Sequence, residues 1–484
     1  MDVINLSTLD VSIIIFVINF LLAAVVVFIE RRDIGSTWAW LMILFFIPIV
    51  GFIVYLFLGR QLKQKNFYNL SSEERSYLLS AVDEQIHQLQ DNRFFHNDLL
   101  SKHSDLLLMN VKSSNALLTL DNKIEIFTDG HEKFCSLFED IRKAKEEIHL
   151  QYYIIQRDSL ADKLRDELTK KAKEGVKVRL LYDEIGSRRI SPAFFKEMIT
   201  YGGEVEAFFP SFLKLVNFRI NNRNHRKLCI IDRKIAYIGG FNIGNEYLGL
   251  DKKFGYWRDT HLKVQGEAVS QIQGRFLLDW NYAAKNKMSF EPYSYQVGKH
   301  DGKSPVQIIG SGPNTVTEHI KNMYIKLIMS AKRTLYIQSP YFVPDASFMD
   351  ACKIALLSGV DVRIMIPSKG DSAVVYWATW AYAGELLDYG AKIYLYEKGF
   401  IHAKTIVVDE EVASVGTANI DTRSFRLNFE VNAVIYDEKV AKNLYDLFLQ
   451  DCQDSSELTM DRYKERSLGI KLKEAITRLL SPIL

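Results

Sequence analysis

Hydrophobic and polar positions divide the chain into stretches of different character. Two apolar runs come first: Val11 to Ile29, interrupted only by Ser12 and Asn19, and Thr37 to Leu58, which carries no charge. At about 1.5 Å of rise per residue, roughly 20 apolar residues cross a hydrocarbon core of about 30 Å. The pattern therefore predicts a two-helix transmembrane hairpin over residues 1–60, turning at Glu30, Arg31, Arg32 and Asp33. A buried pair of soluble helices is the alternative, and the run lengths argue against it. Residues 61–119 are polar, with the look of helical connectors, and carry no recognisable chemistry.

From residue 120 the pattern changes to short apolar strands alternating with amphipathic helices, and it runs through twice. Strands Glu147 to Ile155 and Val176 to Tyr182 flank a helix over Leu160 to Lys173; strands Thr334 to Ser339 and Val360 to Pro367 flank one over Ser347 to Leu357. Short matches keep the same order in both halves: Gly175-Val-Lys-Val-Arg with Gly359-Val-Asp-Val-Arg, Tyr201-Gly with Tyr389-Gly, and Phe276-x-x-Asp279 with Phe448-x-x-Asp451. The expected fold class is α/β: two similar lobes of mixed sheet flanked by helices, preceded by the hairpin. The first lobe covers 120–284 and the second 305–484, which ends in a helical tail. Residues 285–304, polar and aperiodic with Gly and Pro, form the linker.

Within the repeat sits one motif in two copies, His-x-Lys-x4-Asp-x6-Gly-x-x-Asn. The first copy is His225, Lys227, Asp232, Gly239 and Asn242; the second is His402, Lys404, Asp409, Gly416 and Asn419. The residues after each Lys are apolar and mostly β-branched, so the segment reads as a buried strand on which a period of two places His and Lys on one face. Asp232 and Asp409 fall where the run stops and a second run begins, which is hairpin geometry with Asp at the turn. A turn or ion-pair role for these two is favoured over direct catalysis, although both belong to the catalytic motif. Gly239-Gly240 and Gly416-Thr417 would allow close backbone approach to an anion, with Asn242 and Asn419 as amide donors and Thr417 as a hydroxyl.

Two His and two Lys supply what phosphodiester cleavage needs without a metal: a nucleophile, an acid for the departing alkoxide, and positive charge around the phosphoryl oxygens. Acidic residues are not clustered beside the motifs, so neither a metal nor any other cofactor is expected. A nucleophilic imidazole must present a neutral nitrogen, so each His needs an acceptor on its other nitrogen.

The motif pair, together with Tyr256-Trp257-Arg258-Asp259-Thr-His and the long stretch from Gly416 through Asp421, Arg423 and Ser424 to Glu430-Val-Asn, resembles the phospholipase D superfamily, and within it the bacterial cardiolipin synthases. The resemblance implies a membrane enzyme that moves a phosphatidyl group between two phosphatidylglycerol molecules, giving cardiolipin and glycerol through a phosphohistidine, with His225 as the nucleophile. Another phosphatidyltransferase or a phospholipase is the alternative, with a nucleic-acid phosphodiesterase behind it. Asp259 and Glu430 occupy matching places after each motif, where relatives use an acid to hold a motif His. Gly240 departs from the superfamily's commonest form, which has Ser there.

Composition adds limits. Lys and Arg number 61 against 59 Asp and Glu, a net charge of +2, whereas nucleic-acid-binding domains tend to be strongly basic; the expected partners are phosphatidylglycerol, other phospholipids and the membrane. Arg31 and Arg32 in the turn against Arg60, Lys63 and Lys65 beyond the second run place the catalytic lobes on the cytoplasmic side of the cell membrane by a narrow margin. The four cysteines, Cys135, Cys229, Cys352 and Cys452, are scattered and read as reduced. Three weaker candidates remain: the segment Ser211 to Arg223, unique to the first half, as an interfacial loop; Tyr376, Trp377, Trp380 and Tyr382 as an acyl channel or a packed helix; and Asp421, Arg423 and Ser424 as headgroup ligands or braces between lobes.

Overall fold

The computed structural model describes residues 8–28, 34–55, 67–91, 97–210, 221–289 and 300–479, with Leu62 and Gly298. Two sheets of the same strand order form the catalytic body. In the first, Asn122–Phe127, His261–Gly266, Ile235–Gly239, Leu228–Ile231, Glu147–Tyr152, Lys177–Asp183 and Glu204–Phe208 lie side by side. The second repeats that order with Val306–Ser311, Glu430–Tyr436, Val412–Gly416, Thr405–Val408, Thr334–Gln338, Asp361–Pro367 and Lys392–Tyr396. In each sheet the last three strands are parallel and the remaining pairings antiparallel, so both are mixed, as the repeat predicts. Edge strands Leu118–Thr119 and Ser455–Glu457 extend the second sheet alone.

Both faces of each sheet are covered, which is why the motif strands read as continuous apolar runs instead of alternating ones. Leu228 and Ile230 enter a core shared by the lobes, where they join Val407, Val431 and Ala433, while Cys229 and Ile231 point into the outer core of the first lobe. Ile406 and Val408 likewise face the outer core of the second lobe. Helices Ala268–Ala283 and Glu438–Gln453 supply Phe276, Trp280, Leu444 and Phe448 to the shared layer, so the lobes are fused through hydrophobic packing.

Residues 61–119 do more than connect. Helix Ser72–Gln90 starts at a reciprocal capping box between Ser71 and Glu74. Its Val82 and Leu89, with Leu107 and Val111 of helix Ser104–Ser114, are buried against Ile309 and Ile320 of the second lobe. The chain thus reaches the second lobe's core before it builds the first.

The amino-terminal chain forms helices Thr8–Phe28, Ile34–Phe46 and Pro48–Val54. The second apolar run is broken ahead of Pro48, whose ring disfavours helix at the residue before it, leaving pieces of 13 and 7 residues. Among the described residues no helix is long and apolar enough to cross a membrane, so the expected pair of spanning helices is not borne out. The buried soluble pair fails as well. Trp40 and Tyr55 pack edge to face at 5.3 Å, but Phe16, Phe20, Phe45 and Phe46 are all exposed. The turn at Glu30 to Asp33, the charges Arg60, Lys63 and Lys65, and linker positions 290–297 and 299 lie outside the described residues.

Candidate active site

Two short parallel pairings stitch the lobes together. Gly399–Ile401 pairs with Tyr256–Arg258, and Asn224 bridges to Phe429. A Cβ on Gly399 would lie 1.9 Å from the Tyr256 carbonyl oxygen, so the close approach needs glycine. The His402 N–H donates to Arg258 O at 2.6 Å and the His225 N–H to Phe429 O at 2.9 Å. Each seam therefore delivers a motif histidine of one lobe beside the carboxylate that follows on the other.

The pairing is crossed. His225 Nδ1 lies 3.0 Å from the Glu430 carboxylate and His402 Nδ1 lies 2.6 Å from Asp259 Oδ2, both carboxylates fully buried. A carboxylate on Nδ1 fixes the proton there and leaves Nε2 with its lone pair free. The lysines sit beneath: Lys227 Nζ donates to His225 O at 2.6 Å and Lys404 Nζ to His402 O at 2.5 Å. Aromatic rings wall the pocket, with Tyr153 edge-on to His225 at 4.8 Å and Trp257 5.3 Å from His402.

Burial sets the protonation of the group. It pulls His402 down to about 4, helped by Lys404 and opposed by Asp259, and lowers His225 in the same way against Glu430. Burial also lowers Lys227 to about 7 and Lys404 to about 8. Burial works to raise both carboxylates. Lys404 and His402 around Asp259, and His225 and Lys227 around Glu430, outweigh it and hold both below the ordinary range. Each histidine feels the lysine of both lobes, so the four groups form one cluster at the junction.

Four of the groups expected to meet phosphate are otherwise engaged. The Thr417 hydroxyl donates to Glu430 Oε2 at 2.5 Å and accepts from the Val431 N–H at 3.0 Å, so it steadies the acid that holds His225. Gly240 occupies the matching place, where a Cβ would lie 1.9 Å from Asp259 Oδ1; the shorter acid fills the space of a side chain there. The Gly240 and Thr417 N–H groups are spent on Thr260 O and Val431 O and do not face an anion. Asn242 accepts from the Ile154 N–H at 3.1 Å and donates to Tyr247 Oη at 3.1 Å. Asn419 is different: it is buried and its Oδ1 has no partner among the described residues.

Asp232 and Asp409 stand at the far end of their strands, where they take no part in the pocket. Each begins a two-residue turn with positive φ at both positions, 51° and 55° at Asp232 and Arg233, 54° and 61° at Asp409 and Glu410. Asp232 accepts the N–H groups of Lys145, Glu146 and Glu147, and Asp409 those of Lys332, Arg333 and Thr334, at 2.7–3.0 Å. Placing them among the catalytic residues is corrected accordingly. Asn tolerates the turn but accepts with one oxygen fewer, so Asp232→Asn and Asp409→Asn are expected to cost about 1–3 kcal/mol of stability each. Thermal unfolding should show the loss, with kcat within a few-fold of the parent; a folded variant with a dead chemical step would contradict the assignment.

The structure adds residues that motif reading passed over. Arg226 pairs with Asp279 at 2.7 Å and donates to Glu430 O at 3.1 Å; Arg258 pairs with Asp451 at 2.8 Å and donates to Asp259 O at 2.6 Å. Each buried ion pair thus fixes the backbone of a histidine-holding acid. The repeated Phe-x-x-Asp was the available signal. Tyr68 Oη donates to Asp279 at 2.5 Å, and Phe67 stacks on Tyr282 at 4.1 Å and on Phe429 at 5.0 Å, so the chain entering the connector is wedged into the same seam.

Of the weaker candidates, residues 211–220 lie outside the described residues. Trp380 and Tyr382 pack against the second-lobe core, and Trp377 lies under Lys473 of the terminal helix at 5.3 Å, which is helix packing. Arg423 donates to Asn221 Oδ1 at 3.0 Å across the junction, a brace between lobes, whereas the Asp421 carboxylate accepts from the Ser424 N–H at 2.6 Å within the second lobe. All four cysteines are free, and no group of three or more His, Cys, Asp or Glu among the described residues could hold a metal ion.

Comparison with known proteins gives the same picture. The family described as "Cardiolipin synthase, PLD-like domain" matches residues 137–280 and 324–452, and "Phospholipase_D-nuclease N-terminal" matches 17–60. The chain is 53% identical over 474 residues to a cardiolipin synthase of Listeria welshimeri, 98% of each chain being covered. It is 53% identical over 471 residues to the major cardiolipin synthase ClsA of Bacillus subtilis, covering 97% of this chain and 98% of that one. Among solved structures, phosphatidylserine synthase of Haemophilus influenzae superposes with a TM-score of 0.62 at 17% identity, covering 80% of this chain and all of that one, which is a likeness of fold. The chain belongs to the cardiolipin synthases of the phospholipase D-like family.

Proposed function

We propose that this member of the family transfers a phosphatidyl group from one phosphatidylglycerol to the terminal hydroxyl of another in two displacements at a single pocket. Family membership makes it a phospholipid phosphatidyltransferase. The observation that carries the mechanism is the crossed pair of histidine–carboxylate contacts beside two lysines. His225 Nε2 attacks phosphorus and the P–O bond to glycerol breaks; His402 gives the leaving oxygen its proton. The same imidazole then removes the proton of the incoming hydroxyl, whose oxygen displaces His225 and restores the diester. Two inversions give net retention at phosphorus.

Electrostatics fit both roles. Burial lowers both imidazoles, which favours the neutral form that a nucleophile requires. A bound phosphodiester anion brings the negative charge that favours protonated Lys227, Lys404 and His402, so the proton for the leaving group arrives with substrate binding. Lys227 and Lys404 then hold the non-bridging oxygens by charge-assisted hydrogen bonds, with the Asn419 amide beside them.

The test is product analysis with purified protein in mixed micelles of phosphatidylglycerol, with and without excess chelator. Cardiolipin and glycerol in equal amounts are expected, at a rate the chelator leaves unchanged. Phosphatidic acid in place of cardiolipin would make the protein a hydrolase, and loss of turnover restored by one metal per chain would require a metal-activated acceptor.

The same proposal lays the amino-terminal helices in lipid. Their exposed faces carry Ile13, Phe16, Phe20, Phe45 and Phe46, side chains that water would not solvate without cost. Removing residues 1–60 should release the protein from vesicles while activity on detergent-dispersed lipid falls by less than about tenfold, because lost membrane attachment lowers only local substrate concentration. A folded truncation inactive in detergent would show that the helices complete the pocket.

A further inference from the structure

Arg226 leaves its strand on the face opposite His225 and Lys227, as the two-residue period requires, and on that side it borders a second cavity. The cavity, about 530 Å³, lies between helix Ser72–Gln90, helix Ala268–Ala283 and strand Val306–Ser311, and neither motif histidine lines it. Most of its wall is apolar, with Leu78, Ala81, Leu117, Leu277 and Leu278 along it. Its polar part contains Arg226, Arg275, Ser311, Asn314 and His319.

The charges there do not balance. Arg226 is met by Asp279 at 2.7 Å. Arg275 donates to the Ser114 carbonyl at 3.1 Å and makes no ion pair among the described residues. Among the described residues Glu74 is the one carboxylate on the wall, and its Oε2 accepts the Ser71 N–H of the capping box at 2.7 Å. Two further groups are orphaned. His319 is 8% exposed and Ser311 2% exposed, yet among the described residues His319 Nδ1 and Ser311 Oγ have no hydrogen-bond partner. Buried polar atoms without partners are uncommon, and here they line an apolar chamber together with a guanidinium that has no ion pair among the described residues. That combination suits an oxyanion carrying a hydrocarbon chain.

We propose that this cavity is a second, non-catalytic site for a single-chain anionic amphiphile, with its oxyanion head on Arg275, His319 and Ser311 and its alkyl chain along the Leu78 and Leu278 wall. The inference rests on the cavity alone and stands whatever reaction the histidine pocket performs. Ser311 O also accepts from Arg226 at 3.2 Å, so the occupant would sit one contact from the arginine that holds Glu430.

The test uses the full chain in nonionic micelles with a photoreactive dodecyl phosphate, the crosslinked peptides being identified by mass spectrometry. Label is expected in helices 72–90 and 268–283. Gly274 lines the cavity, and a Cβ there meets nothing within 4 Å, so Gly274→Leu and Gly274→Phe should fill the chamber while keeping the fold, their helix propensity being higher. Either should cut labelling of the two helices at least about tenfold and leave labelling of peptides around His225 and His402 intact. Arg275→Gln should cut it for dodecyl phosphate but not for a photoreactive dodecanol. Unchanged labelling in both Gly274 variants would overturn the site. Equal labelling by the uncharged probe would overturn the anionic head, and displacement by inorganic phosphate as effective as by dodecyl phosphate would overturn the amphiphile.

Discussion

Alanine at either His225 or His402 is expected to lower phosphatidyl transfer by roughly 10³-fold or more, since attack on phosphorus and protonation of the leaving oxygen are both required. The two variants should fail differently. With a donor whose leaving group is a good one, such as a nitrophenyl ester, protonation is no longer needed. His402→Ala should then release nitrophenol in a burst and accumulate labelled phosphohistidine, because the step it still lacks is activation of the acceptor. His225→Ala should give neither burst nor label. Label in both single variants would mean that the roles are not divided as proposed, and label in His225→Ala alone would exchange them.

Removing the orienting acids should be nearly as damaging and should cross the lobes. Glu430→Gln leaves His225 without its charged acceptor, and Asp259→Asn does the same to His402. Losses of roughly 10–100-fold or more are expected from outer partners of this kind. Glu430→Gln should slow formation of the phosphoenzyme; Asp259→Asn should slow its discharge. The pH dependence follows with a definite sign. Asp259 raises His402 against burial, so its removal lowers His402 further and, because His402 must carry the proton for the leaving oxygen, shifts the basic limb of kcat/KM to lower pH. A shift to higher pH, or an effect of Glu430→Gln confined to discharge, would mean that the contacts do not position the histidines as described. Arg226 and Arg258 sit one contact further out, and breaking either buried ion pair should cost about 3–5 kcal/mol of stability before any kinetic effect is read.

Much of this arrangement was legible in the sequence because it is written twice. The duplicated alternation of apolar strands and amphipathic helices gives two mixed sheets, and the observed strands Glu147–Tyr152, Lys177–Asp183, Thr334–Gln338 and Asp361–Pro367 fall where the pattern puts them within a few residues. Period two was enough to place His and Lys together and Asp232 at a turn. What the pattern could not show is which lobe's acid meets which histidine, since local spacing contains no information about a contact 205 residues apart. Thr417 was misjudged for a related reason: a hydroxyl beside a phosphate motif reads as a ligand until the distant Glu430 is seen to claim it. At the amino terminus the helices differ from the apolar runs. Hydropathy counts residues regardless of backbone, and Pro48 divides a run that is uniform in polarity.

Two seams of a few residues, Gly399–Ile401 on Tyr256–Arg258 and Asn224 on Phe429, bring each histidine to its acid. A lobe standing alone lacks the carboxylate that meets its imidazole, so under the proposed mechanism neither half would be a weakened enzyme; it would be none at all. Reactivity toward phosphodiesters is thereby made conditional on correct docking. Under the proposed mechanism, a newly made or damaged chain whose lobes have not closed would have no oriented nucleophile.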